Sequence, residues 1–246
     1  MLKESELIAM RKTGKVAAHI LRRIRYILKP GISTKDIENY FDNVLKVYPG
    51  MEPAFKGFMG YPASLCVSVN DEIIHGIPSD RKIIKSGDLV SVDLGIRCNG
   101  IYVDCARTYH VGKISKLGCK LINVTLKALY QGIKQARAGA HVGNIGFAIQ
   151  NFTEKHGFSV IRKFVGHGIG RQLHSHPEIP NFGVRNEGDK LEQGMVIAIE
   201  PMIASGTFEV DVLSDGWTAK TRDHSLSCHF EHTVAITKKG PWIMTN

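Results

Sequence analysis

Four acidic residues stand at positions where apolar side chains would be expected. Asp93 lies in the segment VSVDLG, and Asp104 lies in the next apolar segment, IYVDCART. Glu200 in VIAIEPM and Glu231 in CHFEHTVAIT occupy similar settings. Unpaired carboxylates gathered in one core repel each other, which raises their pKa values. Two divalent cations would balance the four negative charges, so these residues predict a metal site.

The ligand types indicate which metals and which chemistry to expect. Oxygen-rich ligation without thiolate favours Mn, Fe or Co, and Zn also accepts such ligands. Two ions held close together by carboxylates form a hydrolytic site. A single aspartate in a strand more often pairs with an arginine or caps a turn. The accumulation of four such acids favours the metal interpretation over that alternative.

Three histidines lie in short, turn-rich segments: His75 in HGIP, His167 in GHGIG and His174 in HSHP. The two glycines beside His167 predict close backbone packing around its ring. His174 and His176 have the HxH spacing of some zinc hydrolases, which by itself is a weak signal. A serine hydrolase is excluded because the chain has no GxSxG segment.

A hairpin signal determines how the two aspartates are oriented. Asn99-Gly100 is typical of a two-residue type I′ turn. Such a loop sets Asp93 opposite Ala106, and Asp104 then lies two residues further along on the same face. Diagonal neighbours of this kind are about 7–8 Å apart, close enough to share an ion. A three-residue loop would put the aspartates on opposite faces unless a bulge corrected the register.

Apolar periodicity predicts helices and strands that alternate in groups. The predicted helices cover residues 5–28, 34–48, 115–137 and 142–156, and the strand-like segments cover 64–70, 82–96, 101–108 and the region after 157. Thr34 is predicted to cap the second helix, and Gly157 to follow the fourth as its C′ residue. Helices on one side of antiparallel strands predict an α+β fold.

The order of two helices followed by strands occurs twice, which suggests an internal duplication. Residues 86–95 (SGDLVSVDLG) align with residues 193–202 (QGMVIAIEPM), and this alignment pairs Asp93 with Glu200. We therefore expect a single domain over 1–246, made of two related halves at roughly 1–110 and 111–246. A site at their junction would take ligands from both halves.

Composition is that of a water-soluble globular protein. The chain has 246 residues, of which 43% are hydrophobic, and it lacks an apolar run of about 18 residues that could span a membrane. The N-terminal residues do not resemble a signal peptide. The five cysteines are an odd number without CxxC spacing, which is typical of reduced thiols in a cytoplasmic protein.

The chain is strongly basic, with a formal net charge of +9. Such a charge attracts acidic partners such as RNA. The basic residues are scattered, however, apart from the clusters at 22–25 and 81–82. Scatter favours a solvated basic surface over a dedicated nucleic-acid site, and no DNA partner is expected.

Taken together, the motifs resemble those of one family. NDEIIHGIP, VSVDLG, the later Asp104, VGHGIG, AIEPM and HFEHTVAIT occur in the order and spacing of type I methionine aminopeptidases. The likeness extends from the first helix to about Lys238. It implies the pseudo-symmetric pita-bread fold and the short bacterial form of the enzyme, a cytoplasmic monomer without a membrane segment.

The resemblance also implies roles for individual residues. The implied metal ligands are Asp93, Asp104, His167, Glu200 and Glu231, holding two divalent ions (Co, Mn, Fe or Zn) with Asp104 and Glu231 between them. A hydroxide bridging the ions would attack the carbonyl after the first residue of the substrate. His174 would stabilise the oxygen of the tetrahedral intermediate. His75 would contact the scissile amide nitrogen, and Glu200 would relay a proton to it.

By resemblance, a snug apolar pocket would select the methionine side chain. Its walls would be Phe58, Tyr61, Cys66 and Trp217, with His75 at the rim. For Phe58 and Cys66, an ordinary place in the core is an almost equal alternative. Three positions depart from the usual pattern, Val103, Leu173 and His176, and these bear on substrate preference.

The implied activity is removal of the initiator methionine from nascent chains with a small second residue. The basic surface would help the enzyme to meet those chains at the ribosome. One alternative is a proline-specific peptidase of the prolidase type, which usually carries an extra N-terminal domain. Another is a non-enzymatic binding protein, which would be expected to have lost metal ligands. Type II methionine aminopeptidases are excluded because the interval between His174 and Glu200 leaves no room for their insertion.

Overall fold

The structure, a computed structural model, describes residues 2–246. The α-helices are α1 (Glu4–Ile27), α2 (Thr34–Leu45), α3 (Lys116–Gln135) and α4 (Val142–Lys155), and one turn of 3-10 helix covers Phe58–Gly60. The strands are β1 (Met51–Pro53), β2 (Cys66–Val69), β3 (Glu72–Ile74), β4 (Leu89–Cys98), β5 (Ile101–His110), β6 (Ser159–Val160), β7 (Gly166–Gly168), β8 (Ser175–Ile179), β9 (Val196–Ile199), β10 (Met202–Ala204), β11 (Val210–Val212), β12 (Ala219–Thr221), β13 (Ser227–His229), β14 (His232–Thr237) and β15 (Gly240–Ile243).

The four predicted helices are confirmed, with small differences at their ends. The prediction that Thr34 caps α2 is wrong, because Ser33 does so. The Ser33 hydroxyl accepts a hydrogen bond from the backbone N–H of Asp36 at 3.1 Å, and the Asp36 carboxylate accepts one from the N–H of Ser33 at 2.8 Å. This reciprocal pair is a capping box. Gly157 follows α4 with a φ of +81°, as expected for a C′ glycine.

The first sheet is organised around the long strand β4. Strand β5 pairs along one edge of β4, while β1 and β2 pair with successive parts of the other edge. The hairpin between β4 and β5 has the predicted two-residue loop, since Cys98 pairs with Ile101. Asn99 and Gly100 have φ values of +50° and +75°, as a type I′ turn requires.

Three further sheets complete the fold. The largest has five strands in the order β15-β14-β9-β7-β8, and two three-stranded sheets have the orders β13-β10-β6 and β11-β12-β3. Helices α1 and α2 pack with the first sheet around a core that includes Ile24, Phe41 and Val92. Helices α3 and α4 pack with the five-stranded sheet around a second core, which includes Leu129 and Ile197. Each large sheet therefore has its own helix pair, and the predicted α+β class is confirmed.

None of the helices formed by residues 2–246 is both long and apolar enough to cross a membrane. The fully buried side chains are instead distributed along single faces of the helices. In α1, for example, Met10, Ile20 and Ile24 are buried, whereas Lys12 and Arg23 between them are exposed. This pattern is that of an amphipathic helix lying on a sheet.

Candidate active site

The first two acids project from neighbouring strands of one hairpin. Asp93 on β4 pairs with Ala106, and Asp104 on β5 pairs with Gly95. The pairing is continuous along the hairpin, so residues two apart on β5 share a face. Asp104 is 3% exposed, and Asp93 is half-buried with its Oδ1 fully shielded. The two-residue loop thus directs both carboxylates to the same side.

The remaining predicted ligands come from the second half of the chain. His167 is the central residue of β7, Glu200 follows the last residue of β9, and Glu231 lies between β13 and β14. The backbone N–H of Glu231 donates a hydrogen bond to the carbonyl of Ala106 at 3.0 Å. Since Ala106 is the strand partner of Asp93, this bond brings Glu231 alongside the aspartate pair.

The glycines around His167 provide the predicted close packing. A Cβ on Gly166 would lie 2.3 Å from the carbonyl oxygen of Ala198, and one on Gly168 would lie 2.3 Å from that of His176. Real Cβ atoms do not approach so closely, so strand β7 fits between β8 and β9 only with glycine at these positions.

The hydrogen bonding of His167 determines which ring nitrogen is free. Its Nδ1 lies 3.0 Å from the carbonyl oxygen of Gly168. A carbonyl can only accept, so Nδ1 carries the proton and Nε2 has the lone pair. Nε2 lies 3.5 Å from Oε1 of Glu200. Burial, with a smaller contribution from His174, lowers the pKa of His167 to about 3, so the ring is neutral and able to bind a cation.

Potential ligand atoms form three overlapping groups, each with its members within 4.8 Å of one another. The groups are Asp93–Asp104–Glu231, His167–Glu200–Glu231 and Asp104–His167–His174. The structure therefore brings all five predicted ligands into one cluster. His174, predicted to act beside the substrate, borders the same cluster.

The carboxylates are electrostatically unfavourable as an isolated group. Burial raises the pKa of Asp93 from 3.8 to about 7. Burial, followed by the charges of neighbouring acids, also raises the pKa values of Asp104, Glu200 and Glu231. Without cations, several of these groups would take up protons at neutral pH.

The donor set fits divalent cations. Among residues 2–246, buried oxygens without a hydrogen-bond partner include Asp93 Oδ1, Asp104 Oδ1 and Glu231 Oε1. Three orphaned anionic oxygens in one cluster would be costly to bury unless a cation bound them. A set of carboxylate oxygens and one imidazole nitrogen accepts Mn, Fe, Co or Zn.

A cleft of about 560 Å³ opens over this cluster. His75 and His174 both line it. His75 follows β3 with a φ of +58°, a conformation that is uncommon outside glycine and recurrent at functional sites. Burial, and secondarily His174, lowers the pKa of His75 to about 4. The ring centroids of His174 and His167 are 4.1 Å apart, so His174 stands directly beside a predicted ligand.

Two of the four predicted pocket walls, Phe58 and Trp217, meet the cleft histidines directly. Phe58 meets His174 edge to face, with ring centroids 5.0 Å apart, and Trp217 meets Tyr61 in the same manner at 5.1 Å. The Trp217 ring is also 6.3 Å from His75. Cys66 is buried and is the β2 partner of Asp93. A cluster of four apolar side chains therefore lies between the first core and the cleft.

The three departures from the family pattern have different surroundings. Val103 and Leu173 are buried in the first core. His176 is exposed and lies beside Asp189, with Nε2 and Oδ1 3.3 Å apart. Only His176 lines the cleft, so of the three it alone is directly exposed to a substrate there.

Two residues near the cluster were not predicted from the sequence. Phe164 lines the cleft, and its ring meets that of His75 edge to face at 5.6 Å. His229, the last residue of β13, lies with its Nε2 3.8 Å from Oε2 of Glu200. A signal for His229 was available, because it stands two residues before Glu231 and strand neighbours at that spacing share a face.

Comparison with known proteins identifies relatives over the whole chain. A model of metallopeptidase family M24 matches residues 8–238. The methionine aminopeptidase of Clostridium perfringens is 46% identical over 242 residues, which cover 98% of this chain and 96% of the relative. The crystal structure of the methionine aminopeptidase of Thermotoga maritima superposes with a TM-score of 0.97 at 44% identity, covering 100% of this chain and 98% of that one.

A more distant structure shares only the fold. The prolidase of Pyrococcus furiosus superposes with a TM-score of 0.79 at 22% identity, covering 99% of this chain but 64% of that one. Together with the closer structure, it confirms the pita-bread class of the fold expected from the motifs.

Proposed function

The chain belongs to metallopeptidase family M24, and we propose that it is a methionine aminopeptidase. Its substrates would be nascent proteins and peptides that carry an initiator methionine followed by a small second residue. The observation that carries this proposal is the convergence of five candidate ligands from both halves of the chain beneath a cleft that is lined by His75 and His174. Full-length similarity to methionine aminopeptidases supports the same activity.

The proposed metal centre would hold two divalent cations. Asp93, Asp104 and Glu231 would contribute to one position, and His167, Glu200 and Glu231 to the other, in keeping with two of the three ligand groups. Glu231 belongs to both groups, and Asp104 lies beside it, which supports their role between the ions. When bound, such cations supply Lewis-acid polarisation and make a bound water acidic enough to act as a nucleophile at neutral pH. Mn, Fe, Co and Zn all suit these ligands.

His174 is proposed to stabilise the negative charge that develops on the carbonyl oxygen during attack. It stands at the cleft beside the ligand cluster, and partial burial of its ring lowers its pKa, which favours the neutral form with one N–H to donate. A donor aimed at developing oxyanion charge is worth about 10²–10³ in kcat.

His75 and Glu200 are proposed to handle the proton of the leaving amine. The neutral ring of His75 faces the cleft and would contact the scissile amide nitrogen. Glu200 has a raised pKa because of its burial and the charge of Asp93. A carboxyl group of this kind can take up a proton and return it to the departing nitrogen.

We assign the selection of methionine to the cluster of apolar side chains beside the cleft. Phe58, Tyr61, Cys66 and Trp217 would enclose an unbranched side chain, with His75 at the rim. The Tyr61 hydroxyl donates to the carbonyls of Leu65 or Gly76, each at 3.2 Å, so its polar end is satisfied inside the protein. The rest of its ring can then serve as an apolar wall.

We further propose that residues 1–246 form one catalytic domain with two related halves, roughly 1–110 and 111–246. The repeated order of two helices and a sheet supports this division. The ligands are divided in the same way, since Asp93 and Asp104 come from the first half and His167, Glu200 and Glu231 from the second.

We propose that the enzyme is a cytoplasmic monomer that meets nascent chains at the ribosome. The surface charge supports the ribosome contact. Exposed cations follow one side of α1, at Lys12, Lys15, Arg22, Arg23 and Arg25. Within residues 2–246 these five form no ion pair with a carboxylate. Unpaired cations on a helix surface attract the phosphates of RNA, so we propose this surface, the α1 basic face, as the ribosome contact.

The proposed activity is tested with peptides on protein stripped of metal by EDTA and then supplied with Mn, Co, Fe or Zn. We expect metal-dependent release of methionine from Met-Ala-Ser, no release of the first residue from Leu-Ala-Ser or Xaa-Pro peptides, and loss of activity in Asp104→Asn. Cleavage before proline instead would assign the protein to the prolidase type. A folded protein without turnover in the presence of any of these metals would favour the binding-protein alternative.

A further inference from the structure

His229 is the most deeply buried histidine near the cluster, and the proposed mechanism gives it no role. The residue is 1% exposed. Within residues 2–246, neither of its ring nitrogens has a hydrogen-bond partner. His229 also lies outside the three groups of potential metal ligands. A buried imidazole with two unsatisfied nitrogens is costly unless a partner becomes available in the working protein.

The backbone of His229 is held firmly, so the ring has little freedom to seek a distant partner. Its N–H donates to Oγ1 of Thr108 at 2.9 Å, and the same hydroxyl donates to the carbonyl of His229 at 2.9 Å. The Ser91 hydroxyl lies 2.8 Å from Oγ1 of Thr108, where it can donate the remaining hydrogen bond. On the other side, His229 pairs with Met202 on β10.

The nearest carboxylate lies between two imidazoles. Oε1 of Glu200 is 3.5 Å from Nε2 of His167, and Oε2 of Glu200 is 3.8 Å from Nε2 of His229. Oε1 faces the ring whose free lone pair points toward the cluster. If His167 and Oε1 together held a cation, Oε2 would remain free to accept a hydrogen bond.

The chemistry of the two groups determines the direction of the contact. A carboxylate oxygen only accepts, so His229 must carry its proton on Nε2 to bond Glu200. The ring nitrogens of His229 have no other partner within residues 2–246, so Nε2 is free to serve as this donor. The separation of 3.8 Å exceeds the 2.7–3.2 Å of an N–H···O bond. Hydrogen bonds at catalytic sites are commonly long in ligand-free structures and tighten when the site is occupied.

We propose that His229 is a positioning residue that donates its Nε2–H to Oε2 of Glu200, fixing this carboxylate so that Oε1 is presented to the cation shared with His167. This inference rests on the proposed metal centre and assigns the group that orients one of its ligands. It gives His229 a hydrogen-bond donor role toward Glu200, with no direct contact to the cation or to the substrate.

The expected effect is on metal affinity at one of the two positions. Partners that orient a metal ligand typically contribute 10–100-fold to affinity. Removing the donor with His229→Leu, which nearly preserves volume, should weaken the site that contains Glu200 by about 10–100-fold. The site formed by Asp93, Asp104 and Glu231 should keep its affinity, because His229 faces none of the oxygens specific to it.

Two amide variants separate hydrogen bonding from packing. The side-chain N–H of glutamine reaches about as far as Nε2 of histidine, whereas that of asparagine reaches only about as far as Nδ1. His229→Gln should therefore keep the tight Glu200 site, and His229→Asn should lose it. Met202→Leu, at the strand partner of His229, is the matched control because it alters local packing and removes no N–H donor.

The experiment is calorimetric titration of metal-free protein with Co²⁺, with the visible absorption spectrum of bound Co²⁺ recorded in parallel. Denaturant unfolding of each metal-free variant establishes that it is folded. We expect wild type, His229→Gln and Met202→Leu to bind alike and to share one spectrum. His229→Leu and His229→Asn should show one weakened site and an altered spectrum.

Each contrary result has a distinct meaning. Unchanged affinity and spectrum in a folded His229→Leu protein would overturn the role of His229 and leave the metal centre intact. Equal weakening by His229→Gln and His229→Leu would overturn it too, because the effect would then follow packing. If wild type itself bound no Co²⁺, the proposed metal centre would fail first, and the inference about His229 would fail with it.

Discussion

Thr233 on β14 and Asp104 on β5 are joined by two hydrogen bonds through a single hydroxyl. The backbone N–H of Asp104 donates to Oγ1 of Thr233 at 2.9 Å, and that hydroxyl donates to the carbonyl of Asp104 at 2.7 Å. Both residues are buried. The bonds connect the two large sheets directly at Asp104, a proposed metal ligand. Thr233 itself stands two residues after Glu231, another proposed ligand. The Thr233 side chain thereby helps to hold Asp104 against the second half of the chain.

Thr233→Val should test this connection. Valine has the same shape but leaves a buried N–H and a buried carbonyl of Asp104 without a partner, which costs about 1–3 kcal/mol of unfolding free energy. Thr233→Ser keeps the hydroxyl and serves as the control. Denaturant unfolding of both variants gives the comparison. Equal stability of the valine and serine proteins would mean that the hydroxyl contributes nothing across this junction.

His174→Ala should slow catalysis without removing the metal. Loss of a donor to the oxyanion is expected to lower kcat for Met-Ala-Ser by about 10²–10³, with Co²⁺ stoichiometry unchanged. His176→Ala is the matched control, since His176 lines the same cleft but lies outside the ligand cluster and beside Asp189. Steady-state kinetics of the two variants measure the difference. A similar kcat in both would remove His174 from the mechanism.

Trp217→Ala should weaken methionine recognition. Trp217 packs on Tyr61 and lies close to His75, so its loss would widen the proposed pocket. We expect kcat/KM for Met-Ala-Ser to fall by about 10–200-fold and discrimination against Leu-Ala-Ser to narrow. The other tryptophan offers a control: Trp242 on β15 is 39% exposed, and Trp242→Ala should retain near wild-type kinetics. If the two variants behaved alike, Trp217 would not belong to the pocket.

Stabilisation by metal should increase with pH. The folded metal-free protein holds a proton on Asp93, whose pKa of about 7 lies above its unfolded value of 3.8. The stability contributed by this proton is present below the unfolded pKa and lost as pH rises through about 7. A bound cation must displace the proton, so metal affinity should rise by up to about tenfold per pH unit below pH 7 for each proton released.

Titration of His167 does not affect this rise of metal affinity between pH 5 and pH 8. His167 has its pKa lowered to about 3 and is already neutral in the folded protein at pH 5. The measurement is the increase in Tm on adding a fixed concentration of Mn²⁺ at pH 5.5, 6.5, 7.5 and 8. We expect a larger increase at pH 6.5 than at pH 5.5 and at pH 7.5 than at pH 6.5, with a smaller change from pH 7.5 to pH 8. An increase independent of pH would show that Asp93 is already ionised in the metal-free protein.

Charge reversal on the α1 basic face should weaken ribosome binding. Arg22→Glu, Arg23→Glu and Arg25→Glu together replace three exposed cations with anions that repel phosphate. The control reverses Lys127, Lys134 and Lys155, which are exposed on α3 and α4 and give the same change in net charge. Co-sedimentation with ribosomes at low and high salt should distinguish the two triples. Equal binding by both would exclude α1 as the contact, and peptide hydrolysis should be normal in either protein.

Local signals in the chain were sufficient for much of the fold. Apolar periodicity predicted all four helices, because each buries a single face against a sheet. Asn99-Gly100 predicted a two-residue loop and with it the register of β4 and β5, and the structure confirms both. The cap of α2 was assigned one residue too late, because serine and threonine are adjacent there and both residue types cap helices well.

The candidate site was predicted through acids and histidines in unusual contexts and through their resemblance to a family. These residues were recognisable in the sequence because burying a carboxylate among apolar side chains costs free energy. His229 was not singled out, although it lies two positions before Glu231. A buried histidine is usually satisfied by an ordinary partner, and only the three-dimensional structure shows that neither nitrogen of His229 has a partner within residues 2–246.

The sequence alone determined the helices, the β4–β5 hairpin and, given a two-residue loop, the shared face of Asp93 and Asp104, because these depend on interactions between residues close in the chain. The tertiary structure decided which distant residues meet them. His167, Glu200 and Glu231 reach the aspartates because the sheets of the two halves pack together. His229 faces Glu200 because β13 is hydrogen-bonded to β5 on one side and to β10 on the other. Contacts of this kind depend on the summed packing of the whole domain, and no local pattern encodes them.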